Sequence, residues 1–379
     1  MGLPVGVPQV IAGVLLAVFF AECLWIAVRT PLRPNEIAHI QQGQHWFEGQ
    51  PDAESGRFLL VSAVAAMAVA GSGTRFAAEP TLAFQYPRSW RWLARMPFIL
   101  AGLLLGASLW YVTRRLFGNA GGFIAVGLYV FSPAVLQGAA MVQGAMLAAW
   151  AAFGVVFTSI AVSHTLYAPR DVVLWNWRRI LLLGISLALA VAAQPVLVLL
   201  APVSLGLLLY LVPHRRRESV IIFTAACITA ALLLLSIYRF HPAALASAFT
   251  GMNVREISPA LLGRSLTWSL IGVFLLRMPA VFLMLLVSIG TYAVWKRPRY
   301  FGNTAPLGAW VLLMLLGITL PHVGGYALFL VALPFALVFI AGVFVDLLET
   351  DYSALVLGPV AGVLLAHAAV NIMALARIR

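Results

Sequence analysis

Of 379 residues only 9% are charged and 63% are hydrophobic, with 24 Lys and Arg against 12 Asp and Glu. A soluble domain carries roughly 25% charged residues, so water is excluded as the solvent for most of this surface. The net charge of +12 does not indicate nucleic acid, because Arg and Lys gather at the ends of apolar runs, where the positive-inside rule puts them.

The chain therefore reads as an all-α integral membrane protein, one membrane domain over 1–379. The first apolar run, about Val10 to Val28, approaches the roughly 20 residues needed to span. It lacks a basic leader and an A-x-A-like exit, so it is read as a retained helix. Further spans are expected at about 96–113, 120–136, 142–163, 180–193, 195–212, 219–238, 274–295, 306–320, 326–345 and 353–373. Pro133 and Pro195 mark breaks and 180–193 is short, which gives nine to eleven spans in all. Phe58 to Gly71 is too short to span and suits a helix lying at the interface. Cys23 and Cys227 sit in apolar runs with no motif spacing, as packed hydrophobes would.

Four short connections are strongly basic: Arg114 and Arg115; Arg170, Arg178 and Arg179; Arg215 to Arg217; Lys296, Arg297 and Arg299. In this topology they share one side, which is cytoplasmic. The outer side then holds a long first loop (29–95), a second loop (239–273) and the turn PHVGGY. In a bacterial cell this places the protein in the inner membrane with the first loop facing outward.

That loop opens on PLRPNEIAHIQQGQHWFEGQ, the most polar stretch of the chain. Asn35 is expected as the N-cap of a helix running to about Phe47. Ile37, Ile40 and Phe47 would face apolar surroundings, and Glu36 and His39, at i and i+3, would share another face. Glu36 is then a candidate base or metal ligand with His39 beside it; the alternative is a solvated polar face. The sequence names no cofactor; Glu36 and His39 are the candidates for holding a divalent metal if there is one. In FQYPRSWRWLARMP, aromatic residues interleave with Arg88, Arg91 and Arg95. These read as a phosphate grip or as snorkelling cations in an aromatic belt. Arg277 begins a span from the outer side and carries the same two readings, while Arg239 and His241 suit the headgroup region. No HExxH, P-loop or GxSxG signature occurs, and the later spans hold almost no carboxylates, which counts against ion-coupled transport.

These segments, in order, resemble the GT-C superfamily of polytopic membrane glycosyltransferases, in particular protein O-mannosyltransferases and lipid A aminoarabinose transferases. RPNEIAHIQQGQHWFEGQ looks like the family's first outer-loop motif, and ARMPFILAGLLLGASLWYVTRRLFGNAGG like its Arg-x-Pro helix. LYVFSPAVLQGAAMVQGA resembles the following Ser-Pro break, LLLGISLALAVAAQPVLVLLAP the fifth helix, and LLRMPAVFLMLL a Lys-x-Pro segment. GGYALFLVALPFALVFIAG resembles a late Tyr…Pro helix. The likeness covers about 25 to 345 and implies a GT-C-like bundle. It also implies transfer of a sugar from a polyprenyl-phosphate carrier to an acceptor at the outer face. An outer-loop carboxylate would be the base, and basic residues would hold the lipid phosphate.

Several charges of the pattern are replaced. Asn35 stands where the first Asp of a pair is usual; Gln143, Gly144 and Ala145 stand where a second Asp is usual. Gln194 and Ala327 replace a Lys and an Arg, Arg277 keeps the charge of a Lys, and a Pro-Glu-His-Pro-Pro element is reduced to the residues around Glu54. Asn35 cannot accept a proton at neutral pH. Three readings follow. The chain is a transferase using Glu36, with Arg88, Arg91, Arg95 and Arg277 on the carrier phosphate. Alternatively, it is a catalytically inactive relative that scaffolds a membrane complex, or a lipid-carrier transporter. Membrane lipids are expected partners throughout, with a polyprenyl-phosphate sugar or membrane proteins according to the reading, and no nucleic acid.

Overall fold

The structure, a computed structural model, describes residues 6–49, 58–70, 88–167, 177–250, 275–295, 300–319 and 325–378, with 268 and 272. Among them every regular element is helical. In chain order these are α1 (Val7–Arg29), α2 (Pro34–Phe47), α3 (Leu59–Ala70), α4 (Arg88–Val130), α5 (Pro133–Ala139), α6 (Ala145–Leu166) and α7 (Trp177–Ala193). They continue as α8 (Leu200–Leu211), α9 (Arg216–Ile237), α10 (Pro242–Thr250), α11 (Pro279–Val294), α12 (Tyr300–Thr319), α13 (Gly325–Leu348) and α14 (Ser353–Ala376).

Among the described residues seven helices are long and apolar enough to cross a membrane, and Leu59–Ala70, Pro195–Leu211 and Pro279–Val294 are shorter apolar helices. The chain is an integral multi-pass membrane protein. One of the seven, Trp90–Val130, would reach roughly 60 Å as a straight helix, about twice a hydrocarbon core. It does not run straight. Gly118 takes φ 77°, ψ −173°, a conformation open to glycine because it lacks a Cβ, and the chain reverses there. Tyr129 Oη donates to the Gly102 carbonyl at 2.7 Å, and Arg114 Nε donates to Asn119 Oδ1 at 2.9 Å across the turn. The expected span at 96–113 lies in the first arm of this hairpin; the one expected at 120–136 is its second arm only to Val130, where the helix ends before the Ser132–Pro133 break.

The expected breaks are present. Ser132 is extended before Pro133, which starts α5. Gln194 is extended (φ −151°, ψ 103°) before Pro195, which starts a 3₁₀ turn, Pro195–Leu199, leading into α8. In both places the proline disfavours a helical residue before it and opens the next helix with its fixed φ.

The chain groups into two compact units, Met1–Pro31 with Phe84–Met141 and Glu256–Arg379, and Leu32–Ala83 with Val142–Arg255. In the first, α13 is the core, buried along its whole apolar length. Asn303 of α12 donates to Asp346 of α13 at 3.0 Å. α14 is mostly exposed and attaches through polar groups: His367 Nε2 meets the Leu128 carbonyl, and Asn371 donates to Glu22 Oε1 at 3.2 Å. Arg29 donates to the Ile378 carbonyl, and this pair has the same sequence offset as Glu22 and Asn371, 349 residues. Equal offsets mean that α1 and α14 run parallel.

The second unit holds α2, α3 and α6–α10. α6 and α8 are joined by a buried Ser159–Ser204 hydroxyl pair at 2.7 Å, and α2, α3, α9 and α10 share a cluster of Trp46, Leu59, Tyr238 and Ala248.

Candidate functional site

The polar stretch forms α2 as expected to Phe47, but its start differs. Arg33, extended at φ −80°, ψ 156°, is the N-cap, Pro34 is the first helical residue and Asn35 lies inside the first turn. Proline is favoured at that first position because its φ is already helical and its missing N–H would have had no helical partner. Asn35 is exposed.

Glu36 consequently falls at the third helical position, and its side chain folds back on the helix start. Oε2 accepts the Arg33 N–H at 2.8 Å. Oε1 accepts the Val142 N–H at 2.9 Å, across 106 residues of sequence. Glu36 is 2% exposed, on the buried side of α2 with Ile37, Ile40 and Gly43. This corrects the expected shared polar face with His39, and it leaves Phe47, placed on the apolar side from sequence, exposed. The cause is the helix start: four N–H groups there lack helical partners and carry partial positive charge. Each bond to the carboxylate is charge-assisted. Glu36 thus anchors backbone at two places, one amide N–H on each oxygen.

His39 lies one turn further along, half-buried. Its Nδ1 is 3.1 Å from Ser62 Oγ, and Ser62 Oγ donates to Gln42 Oε1 at 2.8 Å. The Phe58 ring stands edge-on to the imidazole, centroids 5.9 Å apart. Burial lowers the His39 pKa below its ordinary value, partly opposed by the negative charge of Glu36. Gly43 makes this contact with α3: a Cβ there would lie 2.1 Å from the Ser62 carbonyl oxygen and 2.7 Å from the Ala66 Cβ. At the other end of α2, Arg239 donates to the Trp46 carbonyl at 3.1 Å and lies over Trp46 and Phe47. It does so from a left-handed conformation, φ 49°, followed by Phe240 at 59°.

The segment after the Ser-Pro break comes to the same place. Besides Val142 on Glu36, a Cβ on Gly144 would lie 2.6 Å from the Ala193 carbonyl oxygen and 3.1 Å from Val61 Cγ2. Ala145 and Gln194 are buried, 2% and 4% exposed. This unit therefore assembles α2, the MVQGA turn, the AAQP break and α3. The sequence picked out Glu36, His39, Gln143, Gly144, Ala145 and Gln194; it missed Ser62, Gly43, Val142 and the cap by Arg239.

In the other unit Arg95 is 1% exposed. Its Nη1 donates to the Ala27 and Thr30 carbonyls and to Thr30 Oγ1, and Nη2 to the Pro31 carbonyl, all at 2.9 Å. These acceptors are the end of α1, whose last carbonyls have no helical donors. The expected phosphate grip at Arg95 is thus, in this geometry, a helix cap. Arg91 is half-buried, and Arg277 is exposed with Nη1 donating to Gln137 Oε1 at 2.8 Å. The side chain of Arg88 and all of Glu54 lie outside the described residues. Among the described residues no group of three or more His, Cys, Asp and Glu side chains is placed to hold a metal. Glu36 directs its oxygens at amides and His39 its Nδ1 at Ser62, so these two do not converge on a common ion.

No protein-family model matches the sequence, and no curated protein matches it significantly. Two solved structures are similar in part, both of ArnT from Cupriavidus metallidurans. The apo form gives a TM-score of 0.37 at 15% identity, covering 88% of this chain and 76% of that one. The form bound to undecaprenyl phosphate gives 0.35 at 16% identity, covering 88% and 77%.

Proposed function

We propose that the chain is a GT-C-type membrane glycosyltransferase that moves a sugar from a polyprenyl-phosphate carrier to an acceptor at the outer membrane face. The observation that carries the reading is the Glu36–Val142 bond. It joins the two segments, the first outer-loop motif and the stretch after the Ser-Pro break, at which the GT-C pattern places its working carboxylates. Gln194, at the third motif position, lies at the break that Gly144 adjoins. Within this reading Glu36 organises the site. Arg91 is half-buried and Arg277 exposed, and we assign them to the carrier phosphate, whose charge a planar fork of donors matches. Arg95 sets the end of α1.

A second reading has its own support. Glu36 is buried with both oxygens on amides, and Asn35, Ala145 and Gln194 offer no replacement carboxylate. An inactive GT-C relative that scaffolds a membrane complex fits those same residues.

Turnover separates the two. Purified protein in lipid vesicles is given undecaprenyl-phosphate-linked radiolabelled sugars with a membrane extract as acceptor source. The transferase reading expects label transferred and free undecaprenyl phosphate released. No transfer from folded protein across several sugars would leave the scaffold.

A further inference from the structure

We infer that the proton acceptor at this site is Nε2 of His39 and not the Glu36 carboxylate. The inference rests on the transferase reading for its chemistry, but its structural half stands on a chain of hydrogen bonds. Ser62 has one hydroxyl proton, and it goes to Gln42 Oε1. Toward His39 the Ser62 oxygen can therefore only accept, so the bond from His39 Nδ1 must carry its proton on Nδ1. In a neutral imidazole one nitrogen donates and the other accepts. Fixing the proton on Nδ1 leaves the lone pair on Nε2, which has no partner among the described residues.

Glu36 is less suited, since it is 2% exposed and each oxygen already accepts an amide N–H that a proton transfer would have to weaken. Asn35 is not a base at neutral pH. His39 is oriented by its contacts with Ser62 and Phe58 and, among the described residues, keeps a ring nitrogen with no partner. Its orientation has three sources: the Ser62–Gln42 chain, the Phe58 edge, and the close approach of α2 to α3 at Gly43. No ionisable side chain faces it from α3, whose sequence LLVSAVAAMAVA contains none. Glu36, on its own helix, is the charge it feels.

In the transfer step the oxygen of an acceptor hydroxyl forms a bond to the anomeric carbon of the carrier-linked sugar. The anomeric carbon–oxygen bond to phosphate breaks, and its electron pair leaves on the polyprenyl phosphate. The hydroxyl proton passes to Nε2, giving an imidazolium that Glu36 stabilises from one turn away, and water removes that proton afterwards. Protonation at Nε2 keeps the Nδ1 donor on Ser62, so the ring holds its position through the cycle. Because burial lowers the His39 pKa, partly opposed by Glu36, the acid limb of turnover should lie at lower pH than an ordinary imidazole would give, with turnover rising as pH rises through it.

Two measurements test this on the full chain in lipid. ¹⁵N spectra of histidine-labelled protein, assigned by loss of one resonance in His39→Gln, should show the Nδ1–H tautomer at neutral pH. Ser62→Ala should shift the ring toward the Nε2–H form. An Nε2–H tautomer in the unaltered protein overturns the inference whether or not turnover is seen. Transfer from undecaprenyl-phosphate-linked sugars should then fall about 10²–10⁴-fold in kcat in His39→Gln, with KM little changed and the acid limb of the pH profile lost. Full kcat and an intact acid limb in His39→Gln would overturn the base assignment while the transferase reading stood. No transfer by the unaltered protein would overturn both.

Discussion

Glu36 and Arg95 make the useful comparison. They are opposite charges in different units, both singled out for chemistry from sequence, and both almost fully buried. Glu36 accepts two amide N–H groups, one at the start of α2 and one at the turn before α6. Arg95 donates to the carbonyls at the end of α1. Each satisfies the backbone groups that a helix terminus leaves unpaired, with the charge sign that end prefers. His39 and Arg277 differ from them in keeping exposed surface. The lesson is that a charge in an apolar chain can be costly and present for the backbone alone, so exposure of a specific atom, more than the presence of charge, separates candidates for chemistry.

The comparison can be broken at either end. The largest effect is expected at Arg95. Arg95→Ala strips donors from four acceptors, one buried and three part-buried, and leaves a cavity where a fully buried side chain stood; it should cost about 3 kcal/mol, read as a lowered melting temperature in detergent micelles. Arg95→Lys should recover only part, because an ammonium cannot reproduce the planar fork. Unchanged melting in Arg95→Ala would mean that α1 does not depend on this cap.

A somewhat smaller loss is expected at Gly43. Gly43→Ala puts a methyl group 2.1 Å from the Ser62 carbonyl oxygen, so α2 and α3 must separate, at about 1–3 kcal/mol. The measurement is the same melting experiment together with the His39 tautomer, which should lose its preference as Ser62 moves. A stable variant with the tautomer intact would show that the close approach does not hold the imidazole.

Much of the fold was legible in the sequence. Apolar runs gave the helices, because backbone groups in hydrocarbon must bond within the segment, and Pro133 and Pro195 gave the breaks. α2 was legible to its last residue. Its N-cap was misassigned because Pro34, and not Asn35, sets the entry. The reversal at Gly118 was legible only as a basic connection; the left-handed glycine that makes it is a matter of backbone angle. In the site, the choice of Glu36 and His39 followed from spacing, but their division of labour did not. Val142 lies 106 residues from Glu36, and Ser62 lies 23 from His39. Neither partner has a side chain that marks it as functional. Arg239, capping α2 from 193 residues away, was legible only as a headgroup cation for the same reason.

The most direct measurement is amide hydrogen exchange, read by mass spectrometry on peptides covering 30–38 and 139–147, in the unaltered protein and in Glu36→Gln. A glutamine has one acceptor oxygen and so cannot hold both amides. The account predicts slow exchange at Arg33 and Val142 in the unaltered protein, and faster exchange in both peptides, across more than 100 residues of sequence, in the variant. Equal exchange in the two proteins would contradict it, because Glu36 would then be free of the backbone and available for the base role assigned here to His39.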